Sequence, residues 1–468
     1  MHGATFLTFP RRFQKNHMNL SSQKVIILLL FLLFGQSLFA QEKPLKFSFT
    51  NSADQIIDRI KENNKIDADS TYKLLSEWSD FPIIGKTGRD YIYDYVDSTL
   101  VNIPLHVYIP ASYKNAQKNA CILLLHGAVG QSHFSDIDSL SNFDDDLFYK
   151  FLKNGNYIII RPIADRTKGF DWGANKYDNG GAYSPNLTFK YLTHILVSLK
   201  KSINIDDSKV FVFGHSDGAD GAIGLGVYSP NIFAAIIAYN SMLNNLFAKD
   251  FFIRNIQNRP LYIVHSDLDD LRPIQQTRVI IDSLVKFEHN ILYKEYIGYQ
   301  HFDKHLSKDL PYACDFIKNI SRNPFQHYIY WETDRDAYNA IDWLKISTTN
   351  ISAPSAAWYT PLNFTYYDKR AKQWTNFPYY YRLNKSAAVK ATYNNNTFII
   401  QTSCVDEIEL FISPVMVNME EPVSVVINSK QVFKGKLKAD KRFIIDRFMK
   451  DFDRDAIWVN SIKLKISQ

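Results

Sequence analysis

The sequence predicts an α/β protein with a doubly wound, mostly parallel sheet, followed by a β-sandwich-like C-terminal domain. Between residues 121 and 320, short apolar runs typical of buried strands alternate with segments of helical periodicity. This alternation produces a parallel sheet with helices on both faces, and ligands then bind beyond the carboxyl ends of the strands. After Pro324 the alternation stops, and short strands separated by turns take its place.

The strands and helices of the α/β part can be placed in order along the chain. An antiparallel hairpin comes first, at residues 91–96 and 105–109. Parallel strands are predicted at residues 121–125, 157–161, 210–213, 234–238, 261–265 and 292–297, which are rich in Val, Ile, Leu and aromatic residues. Helices are predicted at residues 187–202, 274–287 and 304–320, where apolar side chains recur at helical spacing.

The C-terminal part alternates polar and apolar residues, as half-buried antiparallel strands do. Its strands are predicted at residues 328–333, 340–346, 388–393, 397–402, 407–412, 423–428, 431–436 and 458–466. Within this part, residues 358–381 contain ten aromatic residues. These rings either stack on sugar faces or fill a core or an interface.

The chain is divided into four segments. Residues 1–40 are predicted to be a signal peptide, residues 41–90 an N-terminal helical extension, residues 91–322 the α/β domain and residues 324–468 the β-rich domain. The extension shows helical patterns near residues 53–64 and 70–78. It is either a packing extension or a lid over the functional site.

The N-terminal segment predicts export. An apolar run at residues 25–35 follows Lys24, and a cleavage site is predicted after Ala40. The run is shorter than the roughly 20 apolar residues that span a bilayer, so an uncleaved anchor is the less favoured alternative. We therefore expect a secreted or periplasmic protein that is not stably inserted in a membrane after cleavage.

Charge and cysteine content bound the function. The chain has 54 Lys and Arg against 48 Asp and Glu, and residues 1–40 hold four of the basic residues and none of the acidic ones, which leaves +2 on the mature chain. This balance does not favour a nucleic-acid partner. Cys121, Cys314 and Cys404 are too few for a disulfide framework, although one pair could bridge, and Cys121 is expected in a buried strand. No Cys/His spacing is typical of a metal site, and we expect neither a metal nor a cofactor.

A nucleophile elbow is predicted where the strand at residues 210–213 ends. Residues 214–218 form G-x-S-x-G with Ser216 at the centre, and a helix of small residues follows. A strand that turns this sharply into a helix forces the serine into a strained backbone conformation, and glycines on both sides remove the Cβ clashes. The hydroxyl of Ser216 is thus predicted to be a nucleophile.

The acid and the base that such a serine requires are predicted in two later loops. Asp269 follows the strand at residues 261–265 and is favoured as the acid over Asp267 and Asp270, because it stands four residues before Pro273, where a helix can begin. His301 follows the strand at residues 292–297 and is favoured as the base over His305, which falls inside the next helix.

The remaining site residues are predicted from the loops at the strand ends. Gly127 and Ala128 follow the strand at residues 121–125, and their backbone N–H groups are candidates for an oxyanion hole together with the N–H of Asp217 at the helix start. Trp172, in the long loop at residues 163–185, and His215 are predicted to line the substrate site. For Trp172 the alternative is that it only pins its loop.

The order Ser216, Asp269, His301, with spacings of 53 and 32 residues, resembles that of the α/β-hydrolase superfamily. Within it, residues 90–322 are similar to secreted esterases such as polyhydroxybutyrate depolymerases, feruloyl or acetyl xylan esterases and prolyl-oligopeptidase-related esterases. The matching motifs are His126-Gly127, the elbow at 214–218, the acid loop at 269–273 and Gly298 to His301. Two residues depart from the pattern, since Ser266 and Ala219 stand where many of these enzymes have glycine.

The resemblance implies an α/β-hydrolase fold and a serine hydrolase that cleaves a small-molecule or polysaccharide-linked carboxylic ester through an acyl-enzyme, with no cofactor. Two alternatives stay open. One is a peptidase of prolyl-oligopeptidase type, although those usually carry a propeller before the catalytic domain. The other is a non-catalytic scaffold that presents its C-terminal domain to glycans.

Overall fold

The structure is a computed structural model, and it describes residues 44–46, 52–96, 102–142, 146–172, 175–177, 183–185, 187–241, 252–287, 290–362, 365–368, 370–378 and 386–466. The predicted signal peptide and its cleavage site lie outside these residues. No helix within them is both long enough and apolar enough to cross a membrane.

A nine-stranded sheet carries the first part of the fold. Its strands and one separate hairpin are, in chain order, β1 (Leu45–Lys46), β2 (Arg89–Val96), β3 (Asn102–Ile109), β4 (Asn119–Leu125), β5 (Ile158–Pro162), β6 (Asn175–Tyr177), β7 (Tyr183–Pro185), β8 (Ile205–His215), β9 (Ala235–Tyr239), β10 (Leu261–Ser266) and β11 (Ile291–Tyr296). The sheet order is β1-β2-β3-β5-β4-β8-β9-β10-β11, and β6 pairs only with β7. In this order, the six strands from β5 to β11 run parallel to one another. At the other end of the sheet, β2 pairs antiparallel with β3, and β3 pairs antiparallel with β5. The predicted doubly wound sheet with an antiparallel opening hairpin is therefore confirmed.

Helices cover both faces of this sheet. The helices of the protein are α1 (Ala53–Glu62), α2 (Ala68–Ser76), α3 (Asp146–Leu152), α4 (Thr188–Lys200), α5 (Asp217–Tyr228), α6 (Ile274–Leu284), α7 (His305–Lys318) and α8 (Lys441–Asp451). Successive residues of β4 point to opposite cores: Leu123 packs with α4, α5 and α6, and Leu124 with α3 and α7. Because both faces are buried, the central strands are continuous apolar runs without alternation.

The N-terminal helices pack against the C-terminal helix α8. Ile57 of α1 and Leu75 of α2 are buried in one cluster with Phe448 of α8. An ion pair of 2.7 Å between Lys61 Nζ and Asp446 Oδ1 lies beside this contact. The structure thus favours a packing extension over a lid.

The C-terminal part has two sheets around one core, and β15 and β16 form a separate two-stranded sheet. Its strands are β12 (Tyr328–Thr333), β13 (Ala340–Ile341), β14 (Leu344–Thr349), β15 (Thr365–Asp368), β16 (Gln373–Pro378), β17 (Ala387–Asn394), β18 (Thr397–Ser403), β19 (Val405–Ile412), β20 (Val423–Ile427), β21 (Lys430–Gly435) and β22 (Asn460–Lys465). The sheets β12-β17-β18-β20-β21 and β13-β14-β19-β22 enclose a cluster that includes Trp331, Trp343 and Ile408. The strand expected at residues 340–346 is divided by a turn at Asp342, where φ is 45°.

Buried ion pairs connect the α/β part to the β-rich part. Arg322 donates two hydrogen bonds to the carboxylate of Asp453, at 2.8 and 2.6 Å. Arg259, just before β10, likewise donates two hydrogen bonds to the carboxylate of Asp342. All four of these side chains are buried. Residues 45–468 accordingly form one compact unit, within which the predicted boundary between residues 322 and 324 stays a prediction.

Candidate active site

Ser216 lies at a sharp turn between β8 and α5. Its backbone has φ 59° and ψ −125°, a conformation that residues with a side chain rarely adopt. A Cβ atom on Gly218 would overlap the carbonyl oxygen of Leu125, and one on Gly214 would overlap the carbonyl oxygen of Gly218. The two glycines are therefore required for the close approach of α5 to β4 and β8, as the elbow motif predicts.

The three side chains predicted as nucleophile, base and acid form one hydrogen-bonded chain. The Oγ atom of Ser216 is 2.8 Å from Nε2 of His301, and Nδ1 of His301 is 2.7 Å from Oδ2 of Asp269. His301 and Asp269 are buried, whereas Ser216 is half-buried. The loops after β8, β10 and β11 bring them together, because the carboxyl ends of parallel strands lie at one edge of the sheet.

The environment of the pair sets its charge state. The second oxygen of Asp269, Oδ1, accepts hydrogen bonds from the backbone N–H groups of Leu271 at 3.0 Å and Arg272 at 2.7 Å. Burial raises the pKa of Asp269, but the hydrogen bonds and the nearby imidazole outweigh it and lower that pKa below its ordinary value. Burial lowers the pKa of His301, although its hydrogen bond to Asp269 acts in the opposite direction. At neutral pH a carboxylate thus faces a neutral imidazole, which is free to accept a proton.

The loop that carries His301 is held by its carbonyl oxygens. The carbonyl oxygen of His301 accepts hydrogen bonds from Nε2 of His215 at 3.0 Å and from Nδ2 of Asn240 at 2.6 Å. The hydroxyl of Ser266 donates to the carbonyl oxygen of Gln300 at 2.9 Å. A glycine at position 266 would lack this hydroxyl, so the departure from the family pattern adds a contact to the base loop.

Two side chains predicted to line the substrate site are almost completely buried. His215 is 1% exposed, because its ring packs against those of Phe148 and His301. Trp172 is also 1% exposed, and its indole N–H donates to the carbonyl oxygen of His126 at 2.7 Å. Substrate contact by His215 and Trp172 therefore stays a prediction. The hydrogen bond of Trp172 holds its loop against the chain after β4, as the alternative interpretation expects.

His126 orients the loop that contains Gly127 and Ala128. The Nε2 atom of His126 accepts the backbone N–H of Ala164 at 3.0 Å, so its proton is on Nδ1, which is 2.6 Å from the carbonyl oxygen of Gly127. Because a trans peptide directs its C=O and N–H in opposite directions, this bond turns the N–H of Ala128 away from His126. Ala128 itself has φ 51°.

Asp217 links this loop to the elbow. Its ion-pair partner, Arg272, was not predicted from the sequence. Oδ2 of Asp217 accepts the backbone N–H of Val129 at 3.0 Å, and its Oδ1 is paired with the guanidinium of Arg272. Arg272 also lies 3.2 Å from Oδ2 of Asp220, whose Oδ1 accepts the hydroxyl of Ser241. Asp217 and Asp220 both lie in the first turn of α5, and this pair of acidic residues could have predicted a nearby cation, because buried carboxylates require one.

The rival residues have other surroundings. Oδ1 of Asp267 accepts the backbone N–H of Gly298 at 2.7 Å, and Asp270 is exposed. His305 is fully buried at the start of α7, and neither of its ring nitrogens has a hydrogen-bond partner among the residues that the structure describes. None of the three joins the chain of hydrogen bonds from Ser216.

Thiols and possible metal ligands complete the inventory of reactive groups. All three cysteines are free, with Cys121 and Cys404 buried and Cys314 half-buried. Within the described ranges, no group of three or more His, Cys, Asp or Glu side chains is arranged to hold a metal ion.

Comparison with known proteins adds a family match. Residues 98–283 match the family model described as putative esterase. No curated protein matches the chain. Among solved structures, a thermostable esterase is 19% identical with a TM-score of 0.42, and the alignment covers 50% of this chain and 63% of that one, so less than two thirds of that structure is spanned.

Two further solved structures are similar over about the same part. Thermogutta terrifontis esterase 2, phosphoramylated by tabun, is 14% identical with a TM-score of 0.37 over 49% of this chain and 94% of that chain. The BES protein from Bacillus cereus is 13% identical with a TM-score of 0.37 over 51% and 99%. The family match over residues 98–283 and the topology of the nine-stranded, mostly parallel sheet fit an α/β-hydrolase fold.

Proposed function

We propose that this protein is a secreted serine esterase in which Ser216, His301 and Asp269 form the catalytic triad. The observation that carries the proposal is the unbroken hydrogen-bonded chain, 2.8 Å from Ser216 to His301 and 2.7 Å from His301 to Asp269, at a strained elbow. This is the geometry that converts a weak hydroxyl into a nucleophile.

In the first step, Oγ of Ser216 attacks the ester carbonyl while Nε2 of His301 takes the hydroxyl proton. Asp269 accepts a hydrogen bond from the Nδ1–H group of His301, which keeps the imidazole in the tautomer whose Nε2 is the base. When His301 becomes a cation, the adjacent carboxylate stabilises it. The lowered pKa of Asp269 keeps that carboxylate ionised throughout.

In the second step, the negative charge on the carbonyl oxygen is stabilised by backbone N–H groups. Those of Asp217, at the N-terminus of α5, and Ala128 are the proposed donors, with Gly127 shaping the loop. Each donor is expected to lower the barrier by about 3 kcal/mol. His301 then gives its proton to the leaving alcohol, and the acyl group stays on Oγ of Ser216. Water attacks this acyl-enzyme while His301 takes a proton from the water. His301 returns that proton to Oγ of Ser216, and the carboxylic acid is released.

Secretion is the second part of the proposal, and it rests on the apolar run at residues 25–35 and the small residue Ala40. N-terminal sequencing of the protein recovered from the periplasm or the medium tests it. A chain that begins at Gln41 supports cleavage after Ala40, and a chain that retains residues 25–35 in the membrane fraction contradicts it.

The triad is tested by fluorophosphonate labelling with peptide mapping, together with hydrolysis of p-nitrophenyl acetate, butyrate and octanoate and of methyl ferulate. We expect the label on Ser216 and turnover of at least one ester. Ser216→Ala should remove both, and Ser307→Ala, at an exposed serine outside the site, should keep both. Turnover that survives in Ser216→Ala overturns the assignment, and a folded protein with neither label nor turnover favours the non-catalytic scaffold.

A further inference from the structure

A second groove lies at the junction of the α/β part and the β-rich part. It is lined by three cations and three aromatic residues, Arg254, Lys286, Lys390, Tyr328, Tyr330 and Trp358, together with amide side chains. Neither Asp nor Glu is among the described residues that line it. The groove therefore combines a positive field with aromatic surface.

The groove and the candidate active site lie at opposite edges of the nine-stranded sheet. Arg254 lies in the short helical segment Ile253–Asn258 just before β10 begins, and Lys286 lies in Val285–Phe287 before β11 begins. Asp269 and His301 follow the carboxyl ends of these same two strands. Six residues of β10 separate the two edges, which at about 3.3 Å per residue is roughly 20 Å.

Strand pairing builds one wall of the groove. Ile329 and Trp331 of β12 are buried in the core, so the alternation along the strand turns Tyr328 and Tyr330 to the other face. Lys390 of β17 is directly opposite Tyr330 in the antiparallel pair, which places both side chains on that face.

Hydrogen bonds to the edge strand fix the opposite wall. Nδ2 of Asn258 donates to the carbonyl oxygen of Tyr330 at 2.9 Å. Asn255 accepts the backbone N–H of Glu332 at 2.9 Å and donates to its carbonyl oxygen at 2.8 Å. Because these bonds tie residues 253–258 to β12, the groove is formed before any ligand arrives.

The polar groups in the groove are arranged for an anionic partner. Nζ of Lys390 lies 4.7 Å from the ring centroid of Trp358. The indole N–H of Trp358 is buried, and no hydrogen-bond partner for it occurs among the described residues. Gln257 and Gln326 have their Nε2 atoms engaged, by the carbonyl oxygen of Arg254 and by Asp342, which fixes their amide oxygens as acceptors for hydroxyl groups.

We propose that this groove binds an acidic sugar, a uronate unit of an oligosaccharide. The apolar C–H face of a pyranose packs on an aromatic ring, its hydroxyls hydrogen-bond to the amides, and its carboxylate pairs with the cations. Nucleic acid is disfavoured, because the mature chain carries a net charge of only +2. The proposal deepens the proposed function in that a bound uronate would hold an ester-bearing polymer on the enzyme, although binding itself does not require Ser216.

Isothermal titration of the mature protein with trigalacturonate tests the proposal, with neutral xylotriose as the comparison. We expect trigalacturonate to bind at least about tenfold more tightly than xylotriose and to weaken with added NaCl. Trp358→Ala and Lys390→Gln should each weaken binding by about tenfold or more. Trp374→Ala is the matched control, since Trp374 is 43% exposed in β16 and does not line the groove, and it should leave binding unchanged.

Activity toward p-nitrophenyl acetate, and circular dichroism of each variant, separate this site from the triad. The groove variants should keep the wild-type rate on this small ester, and Ser216→Ala should keep wild-type binding of trigalacturonate. The proposal is overturned if the folded protein does not bind trigalacturonate, if xylotriose binds equally well, or if both groove variants bind as wild type does. A wild-type protein that binds trigalacturonate but does not hydrolyse p-nitrophenyl acetate would count against the triad and not against the groove.

Discussion

The backbone N–H of Arg272 donates to Oδ1 of Asp269 at 2.7 Å, while the guanidinium of the same residue pairs with Asp217 at the start of α5. One residue thus holds the proposed acid through its main chain and the elbow through its side chain. Arg272 is 5% exposed, and its pKa is raised by Asp220 and Asp217 although burial acts to lower it. The acid loop, the elbow and the Val129 loop are therefore positioned as one assembly.

Removing this cation should destabilise the protein and slow the reaction. Arg272→Leu leaves two carboxylates without their cation, and we expect the free energy of unfolding to fall by about 3 to 5 kcal/mol and kcat to fall with it. Arg272→Lys, which keeps the charge, should lose less. Adding Asp217→Asn to Arg272→Leu should restore part of the stability in urea unfolding. If Arg272→Leu and the double variant lose the same free energy of unfolding, Arg272 and Asp217 do not stabilise each other.

Asp269→Asn should lower kcat by about 10⁴ with little change in fold. An amide in this position no longer holds His301 in the tautomer that leaves Nε2 unprotonated. Kinetics with p-nitrophenyl acetate measure the loss. Asp270→Asn is the matched control, since Asp270 is exposed, and a comparable loss in that variant would contradict the choice of Asp269.

The acid limb of kcat/KM should have a midpoint below the ordinary histidine pKa of 6.5, because burial lowers the pKa of His301. In the proposed mechanism the neutral imidazole is the base, so activity should fall as pH drops through that pKa. A lowered pKa moves the fall to more acidic pH. A pH profile of kcat/KM measures the midpoint, and a value above about 6.5 would contradict this reading of the site.

Stability should also fall in acid because of a second histidine beside the site. Burial lowers the pKa of His265 to about 4, and its Nε2 donates to the carbonyl oxygen of Arg272 at 2.7 Å. In the unfolded chain its pKa is about 6.5, so the unfolded state binds a proton that the folded state does not between pH 6.5 and 4. This group therefore contributes stability that is fully present above 6.5 and is lost as pH falls, at about 1.4 kcal/mol per pH unit.

Urea unfolding across this pH range measures the effect. We expect His265→Gln to have a shallower pH dependence than wild type by close to one proton. Identical slopes for the two proteins would mean that His265 is protonated in the folded state.

Gly218→Ala should destabilise the protein and abolish turnover. The added Cβ would meet the carbonyl oxygen of Leu125, a backbone atom that cannot move without shifting β4. We expect a loss of roughly 1 to 3 kcal/mol or more. Gly85→Ala is the matched control, because no atom lies within 4 Å of a Cβ built there, and it should be neutral or slightly stabilising. Thermal unfolding of both variants decides the point.

The sequence predicted the parallel strands to within a few residues, and it identified the three groups that the structure joins by hydrogen bonds. Both successes depend on local signals. Buried parallel strands are continuous apolar runs, and Ser216, Asp269 and His301 each follow such a run at a turn marked by Gly or Pro. Placing each of the three residues after a strand is then enough to predict that they meet, because the carboxyl ends of all strands in a parallel sheet lie at one edge.

Helix α8 was not predicted, because its helical pattern is weaker than the strand pattern of the residues on either side of it. It begins after Asp440, whose Oδ1 accepts the N–H of Phe443 at 3.0 Å, and it buries Ile444, Ile445 and Phe448. This cap and spacing are readable in the sequence. The alternation of the flanking strands nevertheless predicted a β-rich domain without a helix at these residues.

The sequence by itself determined the sheet, the elbow and the order of the three groups proposed to react, since these depend on residues close together in the chain. Only the tertiary structure decided how the side chains near the site are packed. His215 and Trp172 face the interior because the rings and carbonyl groups that receive them come from distant segments. The pairing of Arg272 with Asp217, 55 residues apart, was likewise decided by packing, because a buried charge is stable only where the fold brings its counter-charge beside it.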